Sequence, residues 1–167
     1  MEIRESFVVP TPVDTLWRFF EDVESVSTCV PGLQSLTILG PDEYKVVVKQ
    51  KVGYFSATFE ITTRREEAEP GRYMQFSSVG RTVRGAMGNL RSKDRVEFEV
   101  LDDGGTRVHV LCHPALGGVL GAVGHKVILS KSREMTEQFA AALCERLGGT
   151  AGGGDGGETG ALGNDAT

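Results

Sequence analysis

The sequence predicts an α+β domain in which a seven-stranded, curved antiparallel sheet grips a long C-terminal helix. Most of the segment from residue 34 to residue 113 alternates between apolar and polar side chains, the period of half-buried strands. Two short helical patterns follow the first strand, and a long helical pattern comes last. A chain of 167 residues with 40% hydrophobic content is expected to form one domain with a substantial core.

The first strand and the first helix are predicted from residues 3–20. Alternation over residues 3–9 indicates a strand that ends at a proline. Thr11 is expected to cap a helix that has Pro12 at its first position and Asp14 three residues after the cap. Helical spacing then gives this helix one apolar stripe, made of Val13, Leu16, Trp17 and Phe20.

A second short helix and six further strands are predicted next. The helix covers residues 23–28, and the pair Pro31-Gly32 turns the chain away from it. The strands are expected at residues 34–39, 44–52, 54–63, 72–79, about 83–101 with a break near Ser92-Lys93, and 106–113.

The third strand shows which face of the sheet is buried. One set of alternating residues is mostly apolar, namely Tyr44, Val46, Val48, Gln50 and Val52. The other set is mostly basic, namely Lys45, Val47, Lys49 and Lys51. Phe55, Ala57, Phe59 and Ile61 repeat the pattern in the next strand, so the sheet is expected to have one dry and one solvated face.

The chain ends in a helix and a tail of different composition. The helix has an approximate apolar stripe of Val123, Val127, Ile128, Met135, Phe139, Ala142 and Leu143, and Gly148-Gly149 is expected to end it. Nine of the twenty residues from 148 to 167 are glycine. Such a segment cannot bury enough apolar area to offset its ordering entropy, so a domain over residues 1–147 and a disordered, acidic tail are predicted. The tail is either inert or a flexible tether.

Charge, cysteine content and hydropathy restrict the possible functions. The net charge is −5, but the tail holds three of the 23 acidic residues, which leaves 20 against 18 Lys and Arg. Without a basic surface, nucleic acid is not an expected partner. The three cysteines lack Cys-x-x-Cys spacing, which predicts small buried thiols in a reducing cytoplasm. No secretory signal or long apolar run is present, so a cytoplasmic protein with at most peripheral membrane contact is expected.

Several strings resemble a known superfamily. They are Phe7-Val8-Val9-Pro10, Val13 followed by Leu16-Trp17-Arg18-Phe19-Phe20, and Cys29-Val30-Pro31-Gly32, in the order strand, two helices, six strands, long helix. This pattern resembles the START-like helix-grip superfamily, also called SRPBCC. The hairpin at residues 51–59, the turn at 104–108 and Gln138-Phe139 are similar to the G-subunit family of carbon monoxide dehydrogenase. The resemblance covers about residues 2–147.

The resemblance implies a ligand and a partner. It implies a deep cavity between the sheet and the last helix that holds an apolar, lipid-like molecule such as a quinone, with no cofactor. It also implies an accessory role beside a molybdenum-containing carbon monoxide dehydrogenase or a related hydroxylase, at the cytoplasmic face of the membrane. Because the tail is acidic and rich in glycine, anchoring through the tail is not expected.

Fifteen residues are predicted to line the cavity. A packed core would use similar residues, but small residues at Ala57, Ser78, Gly80, Gly85 and Gly88 favour a hollow interior. The predicted lining residues are Trp17, Phe20, Val30, Leu33, Val48, Gln50, Phe55, Phe59, Phe76, Met87, Asn89, Leu120, Val123, Val127 and Met135. Inward-pointing Gln50, Ser78 or Asn89 would need a partner, either a ligand carbonyl or a water or backbone group.

The glycine-rich segment over residues 116–124 and the loop over residues 29–32 are predicted to form the two sides of an entrance. Interior glycines disfavour a helix, so the first segment is expected to open easily and to expose Leu116, Val119 and Leu120. A flexible loop before a later helix start is the alternative.

An enzymatic interpretation finds less support in the sequence. His109 and His113 lie about 13 Å apart along one strand, too far to bind one metal ion together. No nucleophile elbow, phosphate loop or dinucleotide motif is present, and no acid–base pair is recognised at cavity positions. The lysine row with Arg64 and Arg65 is either a solvated face or a docking surface for an acidic partner or anionic lipid. A binding protein is therefore predicted, with a polyketide cyclase or dehydratase as the alternative.

Overall fold

The computed structural model describes residues 1–148, which form one antiparallel sheet and a small set of helices. The strands are β1 Ile3–Val9, β2 Leu33–Gly40, β3 Glu43–Val52, β4 Phe55–Glu69, β5 Tyr73–Gly85, β6 Gly88–Val100 and β7 Thr106–Gly118. The helices are α1 Val13–Glu21, α2 Val23–Ser27 and α3 His125–Arg146, with a 3₁₀ turn over Val119–Ala122. The strand order β1-β7-β6-β5-β4-β3-β2 confirms the predicted fold class. The predicted tail lies, apart from Gly148, outside the described residues.

The predicted break near Ser92-Lys93 is wrong. Strand β6 passes through both residues, and Ser92 pairs with Ser78 on β5 and with Pro114 on β7. The chain reverses earlier, between Gly85 and Gly88, so that β5 and β6 are separate long strands. Polar side chains do not interrupt a strand whose backbone is paired on both sides, and this accounts for the difference.

The predicted cap of the first helix is also wrong. Helix α1 begins at Val13, its N-cap is Pro12, and no side chain caps it. Thr11 is buried instead, and its carbonyl oxygen accepts a hydrogen bond of 2.8 Å from the Thr106 hydroxyl. The second helix follows its prediction more closely, because the Asp22 side chain accepts a hydrogen bond from the backbone of Ser25 at its N-terminus.

The long helix begins two residues later than the predicted apolar stripe. Positive φ angles at Gly118 and Gly124 bracket the 3₁₀ turn, and Val123 precedes α3. The later helix start was the alternative left open by the sequence. At the other end Gly148, with a φ of +82°, donates its N–H to the carbonyl of Glu145, as expected for a glycine C-cap.

The buried apolar side chains form two clusters. The large cluster lies under α1 and the second half of α3 and contains Phe7, Val9, Leu16, Trp17, Cys29, Met74, Phe98, Val108, Ala140, Leu143 and Cys144. The small cluster lies at the opposite end of the sheet and contains Val52, Ala57, Phe59 and Leu120, with Ile61, Leu90, Leu116, Val123, Val127 and Ile128 packed against them. The interior is therefore divided into two apolar regions.

Candidate functional site

The candidate site lies on the inner face of the sheet beneath the middle of α3. Val127 and Ile128 from the start of α3 belong to the small cluster, whereas Phe139 and Leu143 belong to the large one. Between them Met135 occupies the same helical face and is only partly buried. The middle of the helix thus faces a part of the sheet that neither cluster fills.

Polar side chains cross the inner face of the sheet at this level. On β3 to β5 they are Tyr44, Thr63 and Ser78, which are directly opposite one another in the strand register. The hydroxyls of Thr63 and Ser78 are 2.9 Å apart, and Tyr44 hydrogen-bonds to Thr63. These residues form the first half of what we call the polar belt.

The second half of the polar belt consists of Ser92, Asp94 and Cys112 on β6 and β7. Ser92 stands opposite Ser78, and Asp94 stands opposite Cys112. The Ser92 hydroxyl donates to the Asp94 carboxylate over 2.5 Å, and the Cys112 thiol is a second hydrogen-bond partner of this carboxylate. The belt thus crosses five strands between the two apolar clusters.

Burial controls the protonation of the polar belt. It raises the pKa of the Asp94 carboxyl, an effect that the hydrogen bonds from Ser92 and Cys112 and the nearby His113 partly offset. Burial also raises the pKa of the Tyr44 hydroxyl and the Cys112 thiol, and the charge of Asp94 raises both further. Tyr44 and Cys112 therefore keep their protons at neutral pH and are available as hydrogen-bond donors.

Sequence patterns alone did not reveal Asp94. Its parity along β6 matches that of Val96 and Phe98, which pack in the large cluster, and is opposite to that of the outward-facing Glu97 and Glu99. The predicted break at Ser92-Lys93 separated Asp94 from the upstream part of its strand and obscured this alternation. A continuous strand would have placed the carboxyl on the inner face.

Many of the predicted lining residues lie inside the two clusters. Trp17, Phe20 and Phe76 are in or against the large cluster, where Trp17 and Phe20 contact the ring of Phe98 edge-on at centroid distances of 5.5 and 5.3 Å. Phe59, Leu120, Val123 and Val127 are in or against the small cluster. Leu120, expected to be exposed at an entrance, is buried.

The remaining predicted residues are distributed more widely. Val48 is buried and pairs with Leu33, which is partly buried like the neighbouring Val30. The Gln50 amide donates to the Pro31 carbonyl over 2.8 Å, so a backbone group is its partner. Three residues are exposed at the end of the sheet, namely Phe55 (40%), Met87 (70%) and Asn89. Asn89 does not point inward, since its neighbour Gly88 is the residue beside Leu120.

Small residues do not hollow out the sheet where this was expected. A Cβ atom added at Gly80 would lie 3.0 Å from the Ile61 side chain, and one added at Gly88 would lie 2.8 Å from Leu120. These glycines allow large neighbours to approach the backbone closely. The unfilled region is at the polar belt instead.

Two clefts flank α3. One of about 670 Å³ lies between the middle of α3 and the edge formed by β1 and β7. Seven of its thirteen lining residues are ionisable, so it is a polar cleft, and it includes none of the predicted lining residues. The second, of about 410 Å³, lies between the β3–β4 hairpin and the first half of α3 and is lined by Lys51, Gly53, Lys126, Val127, Ser130, Lys131 and Glu134.

The outer face carries paired charges. His109 lies 2.8 Å from Glu99 and His113 lies 3.6 Å from Glu2. In the lysine row, Lys45 pairs with Glu60, and the adjoining Arg64 and Arg65 pair with acidic residues of β3 and the turn before it. Within residues 1–148 no group of three His, Cys, Asp or Glu side chains is placed to hold a metal ion, and no helix is long and apolar enough to span a membrane.

Comparisons with known proteins agree with the fold. The sequence profile of the CoxG family, described as the G subunit of carbon monoxide dehydrogenase, matches residues 6–148. No curated protein matches the sequence significantly. A conserved protein from Geobacillus kaustophilus is similar in structure, with a TM-score of 0.81 and 16% identity over 89% of this chain and 95% of the other.

Two further solved structures share the fold. A START superfamily protein from Mycobacterium smegmatis has a TM-score of 0.66 and 16% identity, over 88% of this chain and 97% of the other. DynU16, a protein of the dynemicin biosynthetic locus, has a TM-score of 0.57 and 16% identity, over 88% of this chain and 47% of its own.

Proposed function

Because this chain belongs to the CoxG family of carbon monoxide dehydrogenase, we propose that it is a non-catalytic protein that binds an apolar, lipid-like molecule between the sheet and α3. One observation carries the proposal. Beneath the middle of α3, the inner face between the two apolar clusters stays partly exposed. An elongated apolar molecule lying there would extend the contacts of both clusters and would lose its own exposed surface.

The proposed physiological role is that of an accessory factor. We propose a quinone as the bound molecule and a molybdenum-containing carbon monoxide dehydrogenase, or a related hydroxylase, as the partner enzyme. The family and the START-like fold support a protein that holds such a molecule for a redox enzyme. The entrance predicted beside residues 116–124 would give the molecule access to the site.

Native mass spectrometry with lipid extraction tests the binding function. Freshly purified full-length protein is expected to carry a reproducible adduct with the mass of a quinone or another lipid, because the purified protein would retain a ligand held by extensive apolar contacts. Protein made in several hosts provides the control for adventitious capture. Protein that is consistently empty, and that also fails to bind added decyl-benzoquinone, would contradict the function.

A peripheral contact with the membrane is supported by the end of the sheet that carries the β3–β4 and β5–β6 turns. We call it the basic end. Tyr54 at the first turn is 98% exposed and Met87 at the second is 70% exposed. Residues 49–56, 81–91 and 115–133, which surround these turns, contain several Lys and Arg and no Asp or Glu. Exposed apolar tips on a basic surface suit an anionic lipid leaflet.

Cosedimentation with vesicles tests this contact. A Tyr54→Ser, Met87→Ser double variant is expected to lose most of the binding to vesicles that contain phosphatidylglycerol, because it removes the two apolar groups able to insert. An Ile38→Ser, Val100→Ser variant removes exposed apolar groups at the opposite end and is expected to bind like the unchanged protein. A chain ending at residue 148 tests the tail. Equal binding by both double variants would exclude the basic end as the contact.

An enzyme of the cyclase or dehydratase kind is the second candidate. The observation that favours it is the inner-face Asp94 carboxyl, whose pKa burial raises and which could act as a general acid or base. The two functions differ in the fate of the bound molecule. Recovery of the extracted ligand in a chemically unchanged form after prolonged incubation would favour the carrier.

A further inference from the structure

The polar belt gives the proposed cavity a chemical preference. Strand β6 reads Leu90, then Ser92 and Asp94, then Val96 along its inner face, so it passes from the small cluster through the belt to the large cluster. Strand β7 repeats this order with Leu116, Cys112 and Val110. A molecule that spans both clusters therefore has to pass over the belt.

A pure hydrocarbon would be a poor occupant of this region. Tyr44, Ser78, Asp94 and Cys112 are partly exposed, and covering them with methylene groups would remove their water without replacing its hydrogen bonds. The Asp94 carboxyl hydrogen-bonds to Ser92 and Cys112, and a carboxyl group can make more hydrogen bonds than two. A ligand oxygen or hydroxyl could replace the lost water.

The charge at the belt also restricts the ligand. Asp94 is the acidic residue of the belt, and His113 is the nearby base acting on it. From α3, Lys131 faces the interior with 14% of its side chain exposed, but its ammonium group pairs with Glu134 at 3.3 Å. A carboxylate-headed ligand would meet the Asp94 carboxyl, whereas a neutral carbonyl or hydroxyl avoids this repulsion.

We propose that the polar belt binds the neutral oxygen-bearing end of the apolar ligand, with Asp94 and Tyr44 hydrogen-bonding to carbonyl or hydroxyl oxygens. The inference rests on the proposed function and specifies the ligand as an apolar molecule with an uncharged oxygen head group. Tyr44 and Asp94 can act on one head group because the curved sheet brings them within electrostatic range of each other. The two apolar clusters then hold the hydrocarbon part.

Binding of a matched pair of probes tests the inference. Hexyl-benzoquinone and hexylbenzene share the alkyl chain and a six-membered ring, and their affinities are measured by displacement of the neutral fluorophore N-phenyl-1-naphthylamine. A Tyr44→Phe, Asp94→Ala variant is expected to bind hexyl-benzoquinone about tenfold more weakly, which corresponds to about two hydrogen bonds. Its affinity for hexylbenzene is expected to change less than about twofold, because no hydrogen bond to that probe is lost.

Two variants separate hydrogen bonding from shape and folding. Asp94→Asn keeps a donor at the same position and is expected to retain most of the affinity for hexyl-benzoquinone. Glu97→Gln, on the outer face of the same strand, is the control and is expected to bind both probes like the unchanged protein. Thermal unfolding by circular dichroism verifies that each variant is folded.

The outcomes distinguish the inference from the function on which it rests. Unchanged hexyl-benzoquinone affinity in the folded double variant would overturn the belt, as would an equal loss of affinity for both probes. In those cases the apolar binding function would stand. Failure of the unchanged protein to bind either probe would overturn both.

Discussion

Replacing Gly32 with alanine is expected to lower the free energy of unfolding by about 3 to 5 kcal/mol. Gly32 has a φ of +77°, a conformation that costs an alanine about 1 to 2 kcal/mol. A Cβ atom there would lie only 2.1 Å from the Lys49 carbonyl oxygen on β3, so the loop would have to move. Such a movement would also break the 3.0 Å hydrogen bond from the Lys49 N–H to the Gly32 carbonyl.

Gly71→Ala is a matched control for this prediction. Gly71 has a nearly equal φ of +78°, but a Cβ atom there would have no neighbour within 4 Å. Its replacement is therefore expected to cost only the conformational penalty of about 1 to 2 kcal/mol. Urea unfolding followed by circular dichroism gives both values, and equal losses would contradict the proposed contact with β3.

Replacing Leu143 with alanine is expected to destabilise the protein by about 3 to 5 kcal/mol. Leu143 is 0% exposed and joins the second half of α3 to the large cluster. Truncating a fully buried leucine loses its transfer free energy and leaves a cavity that the surrounding residues fill only in part. The loss is measured from urea unfolding curves with the denaturant slope unchanged.

Met135→Ala is the comparison on the same helix. Met135 is partly exposed above the polar belt, so its truncation is expected to cost less than about 2 kcal/mol. The same variant is expected to weaken binding of hexyl-benzoquinone, because Met135 would contact the ligand. A stability loss as large as that of Leu143→Ala would show that the middle of α3 is packed as tightly as its end.

The alternation of β3 and the helical stripes could be recognised without a structure. Val46, Val48 and Val52 are buried, and Lys49 and Lys51 are exposed, as their parity predicts. Such patterns are local, since successive side chains of a strand point to opposite faces whatever the partner strand is. The first helix shows the limit of local signals, because its expected cap, Thr11, instead accepts a hydrogen bond from Thr106, 95 positions away.

The candidate site was harder to predict. Hydrophobicity places Trp17 and Phe59 in one predicted cavity, yet they belong to different apolar clusters. It shows that a side chain is buried but does not identify its neighbours. The polar belt was missed for a related reason, since Ser78, Ser92 and Asp94 look like ordinary strand polar residues until the register places them side by side.

By itself, the sequence determined the fold class, the order of the elements and the two faces of the sheet, because periodicity and turn residues encode these locally. Only the tertiary structure divided the interior into two apolar clusters with a polar belt between them. That division depends on the antiparallel register, which aligns Tyr44, Thr63, Ser78 and Ser92 across four strands, and on α3, which spans both clusters. Both are long-range relations between segments far apart in the chain, so no window of sequence contains them.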